Sequence, residues 1–191
     1  MRSAAQIVSY EIPAGISLIT VIILTGSLNM QEIIAYQQGG LFNWILFDNP
    51  FIPVAFVIYF ISALAETNRT PFDLPESESE LVAGFVTEYS GMRYAFFFLS
   101  EYANMFVVSA VAATGFLGGW QSPFANALNS TGWGVFWMMG KTFFLIFIMI
   151  WIRWTVPRLR VDQLMNVCWK VFLPIGLVNI FGVGIWTVLF G

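Results

Sequence analysis

The sequence predicts an all-α, polytopic integral membrane bundle of about five transmembrane helices, and three observations carry that expectation. Of the 191 residues, 58% are hydrophobic and only 10% charged, and the mean hydropathy is +0.76, a balance far from that of a soluble domain. Five apolar stretches, over about 3–28, 48–65, 94–117, 134–154 and 171–190, mostly approach the roughly 20 residues that cross about 30 Å of hydrocarbon. None alternates apolar and polar residues with period two, so the backbone groups have to be satisfied inside helices rather than in a closed barrel.

The elements follow in order within a single transmembrane domain, 1–191. Span one, 3–28, carries Glu11 and Pro13 near its start, and the next loop, near 29–49, has no Lys or Arg. Span two, 48–65, should end before Thr70-Pro71, because the residue preceding proline is pushed into extended geometry. Loop 66–93 holds six of the eleven acids, and Asp73 with Glu76 has the spacing of a capping box that opens a short helix at Leu74. Span three, 94–117, contains Glu101. Gly118-Gly119 and Gly132-Trp133-Gly134 flank a second loop without cations. Span four, 134–154, contains Lys141 and is ended by Pro157. Loop 155–170 is basic and bordered by Trp151, Trp154 and Trp169, as in an interfacial aromatic belt. Span five, 171–190, completes the chain. If the spans alternate, Arg2, Arg69, Arg93, Arg153, Arg158, Arg160 and Lys170 share one side, which predicts an N-terminus inside and a C-terminus outside.

Several chemistries are not encoded. A lone Cys168, no His and no Cys-x-x-Cys leave no conventional ligand set for zinc, haem or iron–sulfur clusters, so no metal site is expected. The start has the pattern of no cleavable signal. No Gly-rich phosphate loop, Ser/His/Asp arrangement, nucleic-acid patch or internal repeat stands out, and no catalytic residue is assigned.

The acids carry the functional signal. An acidic run on a loop is ordinarily a solvated face, and Glu76 with Glu80 is a mildly unfavourable like-charge pair. Glu11, Glu66 and Glu101, however, fall at similar depth in or at the ends of apolar spans, where a charge at a helix centre costs roughly 2.5–3.5 kcal/mol. Each alone could be a structural ion pair, Glu101 with Arg93 for example. Together they suggest a shared polar cavity and carboxyls that exchange protons. Lys141 has two readings, a side chain reaching toward its end of the helix or a buried base coupled to the acids.

The run Ala65-Glu66-Thr67-Asn68-Arg69-Thr70-Pro71-Phe72-Asp73-Leu74-Pro75-Glu76, then Glu78 and Glu80-Leu81-Val82-Ala83-Gly84-Phe85, closely resembles the signature of the H subunit of respiratory complex I, called subunit 1 in mitochondria. The resemblance continues through Glu88-Tyr89-Ser90-Gly91-Met92, Glu101-Tyr102-Ala103-Asn104, Lys141-Thr142 and Arg160-Val161-Asp162-Gln163-Leu164-Met165, and Ser9-Tyr10-Glu11-Ile12-Pro13 matches the start of the family's fourth helix. It implies a subunit beside the peripheral arm that helps enclose the quinone tunnel and begins the line of membrane acids. On that resemblance Glu11, Glu66 and Glu101, with Glu76, Glu78, Glu80, Glu88 and Lys141, belong to a proton pathway, and Arg69, Phe72 and Asp73 to a loop beside the quinone chamber. It further implies no cofactor on this chain, a quinone as the complex's substrate, and NADH, FMN and iron–sulfur clusters in partner subunits. The membrane would be mitochondrial inner or bacterial plasma membrane. Family members have about eight spans, so three N-terminal ones are expected from another chain, or this is a fragment. The competing expectations are the related subunit of a membrane-bound hydrogenase, and a stand-alone proton or cation transporter.

Overall fold

The computed structural model describes residues 2–67, 72, 91–124, 131–157 and 161–190. Among these every regular element is helical: α1 (Arg2–Thr25), α2 (Met30–Tyr36), a 3-10 turn (Leu41–Asn43), α3 (Ile45–Asp48), α4 (Ile52–Glu66), α5 (Met92–Phe116), α6 (Thr131–Thr155), α7 (Val161–Val167) and α8 (Leu173–Phe190). A wide π turn, Cys168–Phe172, joins α7 to α8.

Four stretches are long and apolar enough to cross a membrane: Val8–Thr25, Met92–Phe116, Gly132–Thr155 and Gln163–Leu189. The fifth expected span is shorter. α4 has 15 residues, about 22 Å at 1.5 Å per residue, because Asn49 and Pro50 separate it from α3. Its shortness goes with its place in the core. Ala55, Ala63 and Ala65 are fully buried, and Ile58, Tyr59, Phe60 and Leu64 nearly so, since α4 packs on α1, α5 and α8 at once. The outward faces of α5, α6 and α8 instead carry exposed Phe97, Phe144, Phe147, Phe181 and Leu189, as lipid-facing helices should.

Small residues set the closest approaches. A Cβ at Gly182 would lie 2.8–3.0 Å from the ring of Phe51, and one at Gly176 would lie 2.9 Å from Ile16, so α8 comes against the core by lacking side chains there. Gly182→Leu should lower thermal stability by about 1–3 kcal/mol through overpacking, read as an earlier unfolding transition in detergent. Gly184→Ala, at a position open to space, should leave the transition unmoved.

The two ends of the bundle differ. At one, α4 ends at Glu66 and α5 begins at Met92. At the other, residues 26–49 fold back over the helices as a cap. Asn29 accepts the N–H of Gln31 to start α2, and Glu32 accepts bonds from Ser27 and Asn29. Tyr36 donates to Asp48 at 3.2 Å, and burial together with that carboxylate pushes the phenol upward, which keeps it a donor.

Candidate functional site

The acid end is built by two prolines. Pro13 lies within α1 and has no N–H for the carbonyl of Ser9, four residues back. Cys168 supplies the missing donor, its thiol reaching Ser9 O at 2.8 Å, and Trp169 Nε1 donates to Ser9 Oγ at 3.2 Å. Both residues stand at the π turn, which precedes Pro174. Pro174 cannot pair with the carbonyl of Lys170, and the turn widens so that Leu173 N–H reaches Cys168 O. Such widened turns recur at functional sites.

Between these elements sits Tyr10, 1% exposed. Its hydroxyl donates to Leu164 O at 2.9 Å, and its ring meets Phe72 at 5.7 Å and Phe172 edge-on at 6.3 Å. Phe72, buried at 6% exposure, thereby brings the loop after α4 onto the residue next to Glu11. Arg69, Asp73, Glu76, Glu78, Glu80 and Glu88 lie outside the described residues.

Glu11 and Glu66 come close enough for their charges to act on each other, and Tyr59 also feels Glu66. Glu101 follows from helix geometry. Tyr59 donates across to Val108 O at 3.1 Å, and Phe116 packs on Phe56 and Tyr59, so α4 and α5 run antiparallel. Glu66 lies seven residues beyond Tyr59 and Glu101 seven before Val108, which puts both about 10 Å from that bond toward the same end, on the same helix faces. The three acids thus share a level. Within this chain Glu11 and Glu66 are exposed and Glu101 is half-buried.

Lys141 is not brought to this cluster. Its ammonium is buried at the cap end, beyond the last turn of α5, with its three N–H groups donating to the carbonyls of Leu117 (2.6 Å), Gly119 (3.0 Å) and Gln121 (2.8 Å). Glu101 to Leu117 spans sixteen residues of helix, about 24 Å. Of the two sequence readings, the geometry is that of a cation at a helix C-terminus.

Sequence reasoning singled out the acids and Phe72 but not Tyr10, Leu164, Cys168 or Trp169. One signal was present: a proline four residues after Ser9 inside an apolar helix announces a free carbonyl that something must satisfy.

Among the described residues no group of three or more His, Cys, Asp or Glu could hold a metal ion. Residues 1–184 match the family model described as NADH dehydrogenase. The chain is 56% identical over 198 residues to a Chlorobaculum tepidum protein named as the H subunit of NADH-quinone oxidoreductase, covering 98% of this chain and 55% of that protein. A Geobacter sulfurreducens relative with the same name, numbered 1, is 54% identical over 97% of this chain and 50% of its own length. The Anaeromyxobacter dehalogenans protein of that name is 46% identical over 99% of this chain and 50% of its own. The chain spans about half the length of the curated relatives it matches. Its acid-bearing α1, α4 and α5 and the segments around them all lie within the matched residues, and the chain belongs to the NADH dehydrogenase family, that of the complex I H subunit.

Proposed function

We propose that this chain is the C-terminal part of the complex I membrane subunit that couples quinone reduction to proton translocation. Glu11, Glu66 and Glu101 form the proton-exchanging group, with Glu76, Glu78, Glu80 and Glu88 leading to it, and Arg69, Phe72 and Asp73 border the quinone chamber. The quinone is the complex's substrate, and NADH, FMN and iron–sulfur chemistry reside in partner subunits. The acid end faces the cytoplasm or matrix.

One observation carries the reading: Phe72, from the loop assigned to the chamber, packs on Tyr10, the residue next to Glu11, on a helix that runs along α4 and its terminal Glu66. A movement of Phe72 would act on α1 near Pro13, where the Ser9 carbonyl has no helical N–H partner. A change in the charge or proton demand of the quinone would be felt by carboxyls gathered at one level of the bundle. Differential stabilisation of two protonation states is what biases a conformational step elsewhere in the assembly.

The test is the composition and activity of the complex purified from native membranes through a tag on this chain. The expected result is co-purification of NADH-oxidising and iron–sulfur subunits, and electron transfer from NADH to quinone. Recovery of a nickel–iron hydrogenase module would overturn the quinone assignment. Recovery of this chain alone would leave the stand-alone transporter.

A further inference from the structure

A second group of buried polar contacts lies at the end away from the acids. Lys141 is 9% exposed, and its three donors are matched by three carbonyls while its charge sits 4.3 Å from the centroid of the Trp44 ring. An ammonium has three donors and no more, so this site is saturated. The carbonyls come from a turn made possible by Gly118 and Gly119, whose φ values are 75° and 50°. Side chains there would also strike the cap, at Trp44 from Gly118 and at Ile34 from Gly119.

The cap is fixed independently by Gln37, which is fully buried. Its amide nitrogen shares two N–H groups among the carbonyls of Ile33 (3.2 Å), Thr114 (3.1 Å) and Gly115 (3.4 Å), and its oxygen accepts the N–H of Ile45 at 3.4 Å. Leu41 N–H completes the seam on Pro123 O at 3.2 Å. Residues 29–49 are therefore tied to the end of α5 by polar contacts, with the Trp44 indole N–H and the Asn49 amide nitrogen, among the described residues, buried beside them without a hydrogen-bond partner. Beneath them lie Phe116 and Ala113, both fully buried.

We propose that Lys141 is the keystone of a cap that seals this chain against water and protons at the end opposite the carboxylates. A fixed cation held in low dielectric repels a hydrated proton strongly, and pores exclude protons by such barriers. Protons then reach Glu11, Glu66 and Glu101 from their own end or sideways from neighbouring subunits. The seal stands on the contacts above, and only its consequence for these three acids rests on the function proposed for them.

The test uses the assembled complex in right-side-out and inverted vesicles. Ser109 of α5 is fully buried, donating to Met149 Sδ at 3.8 Å, and eight residues separate it from Leu117, about 12 Å. Ser109→Cys is a near-isosteric probe, and buried Cys168 at the acid end serves as the internal control. Labelling by a small, membrane-impermeant methanethiosulfonate should be slow from both sides in the parent. Lys141→Met and Gln37→Leu should each raise it at least about tenfold, equivalent to ~1.4 kcal/mol of lost closure, from the cap side only, with Cys168 unchanged. The same variants should raise the passive proton leak with electron transfer inhibited. Unchanged labelling in a correctly assembled variant would overturn the proposal. So would a parallel rise at Cys168, which would report loosening of the whole bundle. Should Lys141→Met fail to assemble, Gln37→Leu decides alone, and normal quinone reduction in either variant keeps this result separate from the identity of the complex.

Discussion

Glu66→Gln should lower proton translocation linked to quinone reduction by at least about tenfold in the assembled enzyme, within the range by which positioned proton-transfer groups act, while folding is left nearly intact. The amide keeps the shape and hydrogen-bonding reach of the acid but cannot release or take up a proton at neutral pH. Glu66 is exposed on this chain and sits at the end of α4, so the substitution removes no packing, and surface changes of that kind stay within about 0.5 kcal/mol. It should be the most damaging of the three because Glu66 stands level with Glu101 and ends α4, which packs along the helix of Glu11. The double change with Glu11→Gln should cost less than the sum of the two single ones, since substitutions that interrupt one pathway are not additive. The measurement is the ratio of dye-reported proton uptake to NADH oxidation in reconstituted vesicles. Normal ratios in Glu11→Gln, Glu66→Gln and Glu101→Gln alike would remove the relay assignment.

The helices were legible in the sequence because a bilayer imposes length and apolarity on anything that crosses it, and α1, α5, α6 and α8 obey that rule openly. α4 did not, for a physical reason. Enclosed by α1, α5 and α8, it answers to protein neighbours rather than to hydrocarbon thickness, and hydropathy cannot distinguish the two environments. Glu11, Glu66 and Glu101 could be placed at one level because depth follows from counting residues along helices. Their exposure could not be anticipated, since it depends on which surfaces the remaining chains cover.

Contacts distant in sequence were invisible for another reason. Pro13 advertises a vacant carbonyl at Ser9, yet the thiol that fills it comes from Cys168, 159 residues away, and only the fold brings π turn and proline together. The same holds at the cap. Lys141 stood out as the one cation that broke the positive-inside pattern, whereas Gly118-Gly119 read as plain loop punctuation. In the structure the exception and the punctuation explain each other: the positive-φ glycines turn backbone carbonyls toward the ammonium.

That mutual dependence gives the second large effect, on stability. Lys141→Met keeps the length and most of the apolar stem but removes every donor from a site where the carbonyls of Leu117, Gly119 and Gln121 converge. A buried acceptor left unpaired costs about 1–3 kcal/mol, and the substitution leaves three of them. With some relaxation of the 117–121 turn toward water, the expected loss is about 3–5 kcal/mol, seen as a lowered unfolding temperature in detergent. Lys141→Arg should recover only part of it, because a planar fork of five donors does not match three carbonyls gathered around one point. Trp44→Leu should cost less than Lys141→Met, as it removes a cation–π contact worth about 0.5–2 kcal/mol and leaves all three hydrogen bonds in place. If Lys141→Met unfolded no earlier than Trp44→Leu, the carbonyl cup would not be what fastens the cap, and the aromatic face of Trp44 would take over that role.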